Sequence, residues 1–136
     1  MSRLVLGLMV AFSSMVANVV SIEVTNIKDK NGTVFIGLYD KEDVFKEVSK
    51  VYKGQVLEIG ANVVRCRFED IPNGTYSISV FHDENGNSKL DKNFFGVPKE
   101  GYGFSNNIRH LLRGANFEES SFEITSDKNI SIKMGY

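Results

Sequence analysis

The chain has 136 residues, 42% hydrophobic and 24% charged, which is one domain's worth with enough apolar material for a core. Sixteen basic against seventeen acidic residues leave a net charge of −1, with no basic stripe for a nucleic acid and no acidic disordered tail. One cysteine, Cys66, excludes an intrachain disulfide framework and a multi-cysteine metal site, and two histidines, His82 and His110, leave little for the common catalytic constellations.

Residues 1–21 read as a secretory signal peptide: Arg3 supplies a positive start and Leu4 to Phe12 is apolar apart from Gly7. Cleavage is expected between Ala17 and Ser21. Val19 before Ser21 fits the small-residue pattern better than Met15 before Ala17. Ser13, Ser14 and Asn18 argue against a retained membrane span. The expected mature protein is therefore residues 22–136, periplasmic or secreted, with no stable membrane span after cleavage.

The rest is a series of short alternating runs punctuated by turns. Ser21–Ile27 alternates, and Asn31-Gly32 follows as a hairpin dipeptide. Thr33–Tyr39 is apolar on both faces and is expected to be a central strand. Lys41–Lys53 is charged, with Val44, Val48 and Val51 at the spacing of one helix face. Tyr52–Ile59 and Val63–Glu69 read as a further strand pair. The turn Ile71–Gly74 leads into Thr75–His82, which alternates Tyr76, Ile78, Val80 and His82 against Ser77, Ser79 and Phe81. Residues 83–116 form a long loop rich in Gly, Asn and aromatics, with a second helix candidate at 107–113. Phe117–Thr125 and Asn129–Met134 close the chain. About seven short strands with regular turns predict an all-β, two-sheet sandwich with one long Gly/aromatic loop.

The stretch Asp83-Glu84-Asn85-Gly86-Asn87-Ser88-Lys89-Leu90-Asp91 places oxygen-bearing side chains at positions 1, 3, 5 and 9. A calcium ion wants six to eight oxygens, and a short loop supplies them when alternate residues point inward. The candidate ligands are Asp83, Asn85, Asn87, the Lys89 carbonyl and Asp91, with Glu84 or Glu100 available to complete the shell. Position 6 is Ser88 rather than glycine, and position 12 is Phe94 rather than a bidentate glutamate, so the affinity should be modest. The competing reading is a solvated Asn-Gly turn.

The loop beyond it carries Phe94, Phe95, Tyr102 and Phe104 among glycines and asparagines. Tyr102, Phe104 and Asn106 are the candidate ligand-binding residues if this loop forms a carbohydrate- or peptide-binding face. Against that, Phe94, Phe95 and Phe104 are expected to fold inward and cap the sandwich. His82 beside Asp83, with Ser105 elsewhere, has the residue types of a triad but no nucleophile elbow. Asp83 and Asp91 as a paired-carboxylate set would make a small envelope hydrolase, the weaker alternative.

The run from Ile71 to Asn87 (IPNGTYSISVFHDENGN), then Lys89-Leu90-Asp91, then Phe95 to Asn107, resembles family 2141 among the bacterial domains of unknown function. Gly32–Asp40, Phe45 and Phe117–Phe122 extend the likeness over most of the mature chain. Ser88 departs from the glycine expected there, and Ile108–Asn116 is less typical. The resemblance implies a small exported protein, and the family has no established activity. The Pro-x-Gly-Thr-Tyr turn at Pro72–Tyr76 is further similar to transthyretin-like and adhesin B-type modules, which implies a prealbumin- or immunoglobulin-like sandwich. The expected role is a non-enzymatic binding or accessory module. Its cofactor would be calcium or none, and its partner an envelope protein or glycan.

Overall fold

A computed structural model describes residues 17–84, 100–110 and 113–136. It is an all-β sandwich with eight strands among these residues: β1 (Ala17–Thr25), β2 (Thr33–Tyr39), β3 (Lys53–Glu58), β4 (Val64–Pro72), β5 (Gly74–Asp83), β6 (Tyr102–Phe104), β7 (Ser121–Ile124) and β8 (Lys128–Lys133). A three-stranded sheet has the order β4-β1-β8, with β1 and β8 parallel. A five-stranded sheet has the order β3-β2-β5-β6, and β7 also pairs with β5.

The alternating strands face the two sheets toward each other. Val20, Ile22 and Val24 of β1, Cys66 and Phe68 of β4, Ile36 and Leu38 of β2 and Ile78 and Val80 of β5 bury into one core. Each such side chain removed from water contributes on the order of 1.5–3 kcal/mol. β2 and β5 are buried on their outer face as well. There Phe35, Tyr39 and Phe81 meet Phe45, Tyr102, Phe104 and Ala115 in a second core. Phe45 is its hub, edge-on to Tyr39 at 5.3 Å and to Phe117 at 5.7 Å. The central-strand reading of Thr33–Tyr39 follows from this double burial.

Several local expectations change. Lys41–Lys53 is not one helix but two 3-10 turns, Glu42–Val44 and Val48–Lys50, separated by Lys46 in the left-handed region at φ 73°. Val44, Val48 and Val51 still pack on the second core, so the apolar spacing reported burial rather than helix. β3 and β4 do not pair: β3 joins β2 and β4 joins β1. The turns at Asn31-Gly32 and at Asn73 carry the chain from one sheet to the other instead of closing hairpins. β6, absent from the expected strands, lies within the 83–116 excursion. Phe117–Thr125 divides into a one-turn helix, α1 (Phe117–Ser120), and β7. The Asn116–Glu119 capping box starts α1, and Arg113, the Asn116 N–H and His110 hold the Glu119 carboxyl down at about 2.

The crossover at Pro72-Asn73-Gly74 is tied by the Tyr76 hydroxyl, which donates to the Pro72 carbonyl at 2.8 Å. This is the tyrosine-corner device of Greek-key sandwiches. The edges of the three-stranded sheet are closed by side chains. On β4, the Arg67 and Glu69 carbonyls accept from Gln55 Nε2 at 2.8 Å and Lys53 Nζ at 2.5 Å. On β8, Asn107 Oδ1 accepts the Lys133 N–H at 2.9 Å, and its amide nitrogen reaches the Ser131 carbonyl at 3.5 Å. Such caps blunt edge-to-edge association.

Asn107 holds φ 52°, a conformation asparagine tolerates better than alanine. Asn107→Ala should therefore lower stability by about 1–2 kcal/mol in urea unfolding, and Asn107→Gly by less, because glycine loses the edge cap without the backbone strain.

Candidate functional site

The polar groups of chemical interest gather where β5 ends. His82 is fully buried, an uncommon place for an imidazole unless both ring nitrogens have partners. Nε2 faces the Asn31 carbonyl at 2.5 Å. A carbonyl only accepts, so Nε2 carries a proton and donates to it, and Nδ1 is hydrogen-bonded to the Tyr136 hydroxyl at 2.8 Å. The same hydroxyl accepts the Lys28 N–H at 3.0 Å. Burial pushes the Tyr136 phenol above its ordinary value, Glu84 and Asp29 add to that, and the Lys28 N–H works against them.

Two carboxylates complete the cluster. Asp29 Oδ1 lies 3.8 Å from Nε2, and Glu84 Oε1 lies 3.8 Å from Nδ1. Asp29 is held locally, since its carboxylate accepts the Asn31 N–H at 2.9 Å. The β1–β2 crossover delivers Asp29 and Asn31, β5 delivers His82, the residue just past its end is Glu84, and the chain beyond β8 delivers Tyr136. The isolated bridge Tyr102↔Gly135 and the bond from the Met134 N–H to the Thr25 carbonyl at 2.9 Å fix that last segment.

Beside this cluster stand Asp83, the first residue of the candidate calcium loop, and Glu100. Asp83 and Glu100 are both buried, 4% and 5% exposed, and Glu100 Oε2 accepts the Glu84 N–H at 2.7 Å. Asn85, Asn87, Lys89 and Asp91 lie outside the described residues, as do Phe94 and Phe95. Asp83 is thus the one expected calcium ligand whose position is described, and Glu100 stands close to it through Glu84.

The candidate ligand-binding residues take structural positions. Tyr102 and Phe104 are buried in the second core, 5% and 2% exposed, with the Arg109 guanidinium 4.3 Å from the centre of the Tyr102 ring. Phe104 follows the inward alternative. Asn106 is exposed at φ 63°, and its amide nitrogen donates to the Ser121 carbonyl at 2.8 Å and the Glu119 carbonyl at 3.2 Å.

Ser105 is fully buried against Ile78, which is four residues along β5 from His82, roughly 13 Å of extended chain. Its hydroxyl accepts the Ile78 N–H at 2.9 Å and donates to the Ser120 carbonyl at 2.5 Å, bridging the gap between β7 and β6 along β5. Burial pushes the Cys66 thiol up to about 11, far from a reactive thiolate. Asp29 and Tyr136 had no sequence signal that joins them to His82, because only the crossovers of the fold bring them there.

The chain matches the family described as "Uncharacterized protein conserved in bacteria (DUF2141)" over residues 22–133, and it belongs to that family. No curated protein and no solved structure matches it. Among the described residues, no helix is long and apolar enough to cross a membrane.

The crossover that delivers Asp29 depends on Gly32. It sits at φ 76°, and a Cβ there would lie 1.9 Å from the Asp83 carbonyl oxygen. Backbone, not a movable side chain, blocks the space. Gly32→Ala should lower the unfolding free energy by at least about 2 kcal/mol, measured by denaturant melts.

Proposed function

We propose that this member of the DUF2141 family is an exported, non-enzymatic binding or accessory module of the periplasm or cell envelope. In this reading the loop 83–91 takes up calcium. The observation that carries it is the alternation of oxygen-bearing side chains at Asp83, Asn85, Asn87 and Asp91, with Asp83 closing strand β5. A hard divalent ion wants six to eight oxygens, and Asp83, Asn85, Asn87, the Lys89 carbonyl and Asp91 would supply five of them. The non-enzymatic part is supported by where the nucleophile and base candidates point: Ser105, Cys66 and His82 are all turned into the protein.

Calcium should raise the thermal midpoint of the mature domain in a saturable way. An affinity of about 10⁻⁴–10⁻³ M gives about 1.4–2.7 kcal/mol of stabilisation at 10 mM calcium. Asp91→Asn, and Asp83→Asn where it folds, should abolish the rise. A wild-type melting curve indifferent to calcium removes this reading.

Export needs a cleavage position compatible with β1. Asn18 is 2% exposed, and its amide nitrogen donates to the Ile71 carbonyl at 2.9 Å and to Asn73 Oδ1 at 2.8 Å. Val20 is fully buried. These contacts support a cut directly after Ala17, at the early end of the expected range, since a cut after Ser21 discards both residues. Intact-mass analysis of the exported protein should give a chain beginning at Asn18. A chain beginning at Ile22 counts against it, and an uncut chain counts against export with cleavage altogether.

A further inference from the structure

We infer that the groove lined by Arg109 and Lys133 is a binding site for an organic carboxylate with an apolar body, separate from the 83–91 loop. The groove has a volume of about 430 Å³ and lies between β6, the end of β8 and the segment that follows Asn107. Small-molecule sites begin at about 300 Å³. The floor is apolar: Phe104 and Met134 are 2% and 1% exposed, and Ile108 lines the groove with them. The charged lining is Arg109 and Lys133, with no acidic residue.

Two observations point to an anion. The first is the state of Arg109. Among the described residues, the other arginines face carboxylates: Arg65 meets Glu23 at 3.1 Å, Arg67 meets Glu69 at 3.9 Å and Arg113 meets Glu119 at 2.9 Å. Arg109 has no carboxylate partner among these residues, yet it is held in place. Its Nη1 donates to the Tyr102 carbonyl at 3.2 Å, and its guanidinium lies 4.3 Å from the centre of the Tyr102 ring. Gly135 makes room for it, since a Cβ there would fall 2.0 Å from Nη1. A guanidinium fixed in this way has little rotamer freedom left to lose on binding, while its Nε–H and Nη2–H groups have no acceptor among the described residues. The second observation is the like charge in the same groove. The Lys133 ammonium also has no acidic partner among the described residues, so two cations share the groove without a counter-charge.

The chemistry of the groove selects the ligand. The planar fork of a guanidinium matches the two oxygens of a carboxylate, and an ammonium adds a point charge. The apolar floor favours a hydrocarbon group attached to that carboxylate over a bare inorganic anion. Asn26 turns its amide nitrogen to the Met134 carbonyl at 2.9 Å, which leaves its Oδ1 to accept an N–H of the ligand. N-acetyl-leucine, with a carboxylate, an apolar side chain and one N–H, is the smallest probe that has all three groups.

The test is titration of the purified protein with N-acetyl-leucine, followed by proton–nitrogen NMR. Saturable shifts are expected at the Arg109 Nε–H and along residues 102–109 and 133–135. The uncharged N-acetyl-leucinamide should bind at least about tenfold more weakly, and Arg109→Gln and Lys133→Gln should each weaken the acid by a similar factor. Both residues are exposed, and circular dichroism checks the fold of each variant. Gly135→Ala keeps both charges but pushes the guanidinium off its seat, so it should weaken binding at least about threefold. Asp91→Asn, which disables the calcium loop, should leave the affinity unchanged, so this site and the calcium reading fail separately. Absence of saturable binding in the wild type overturns the inference, as does equal affinity for the amide or full affinity in both cation variants. Tighter binding of inorganic phosphate than of N-acetyl-leucine assigns the groove to a bare anion and overturns the carboxylate reading.

Discussion

The structure depends on keeping every backbone group of β5 paired while the strand is buried on both faces. A strand in that position has no water to turn to, and each orphaned N–H or C=O would cost about as much as a lost hydrogen bond. β2 satisfies one side of β5 along seven residue pairs. The other side is shared, β7 covering Gly74–Ser77 and β6 covering Ser79–Phe81. Ile78 falls between them, and the Ser105 hydroxyl closes that gap. The position of β6, the left-handed Asn106 and Asn107 that follow, and the route of the C-terminal segment all follow from bringing Ser105 to that point.

The same logic explains the tandem asparagines. Asn106 turns its amide to the carbonyls at the α1–β7 junction, and Asn107 turns its own to the edge of β8. Two adjacent residues with positive φ aim their side chains at different sheets, so a dipeptide in a loop joins the two halves of the sandwich. An exposed asparagine in an aromatic-rich segment has the composition of a binding face, and here its hydrogen-bonding capacity is spent within the protein. Tyr102 and Phe104 likewise cover the outer face of the five-stranded sheet, which without them would present Phe35 and Phe81 to water.

What was legible in the sequence divides along the range of the interaction. Alternation in β1, β4 and β8 and double-sided apolarity in β2 are local properties, and they gave the fold class, the central strand and most of the inner core. Strand pairing is non-local. Asn31-Gly32 and Pro72-Asn73-Gly74 announce reversals of direction, yet a reversal between two sheets has the same local chemistry as one within a hairpin. β6 is three residues with a central glycine, too short to alternate visibly. The cluster at the end of β5 was half legible: His82 and Asp83 stood out as strand-end residues, but Tyr136 reaches His82 across 54 residues of sequence. Nothing near either one signals the other.

The parallel pairing of β1 with β8 has a consequence for how the protein forms. Val19 is bonded to Asp127 over 108 residues of sequence, and the six paired positions that follow are as distant. Closing contacts of that separation carries a large loop entropy and is characteristic of slow folding. During synthesis β1 can find β4 but has an open edge until β8 has emerged. The three-stranded sheet therefore closes last, after nearly the whole chain has been made. A chain of this topology cannot complete its smaller sheet until β8 has been made.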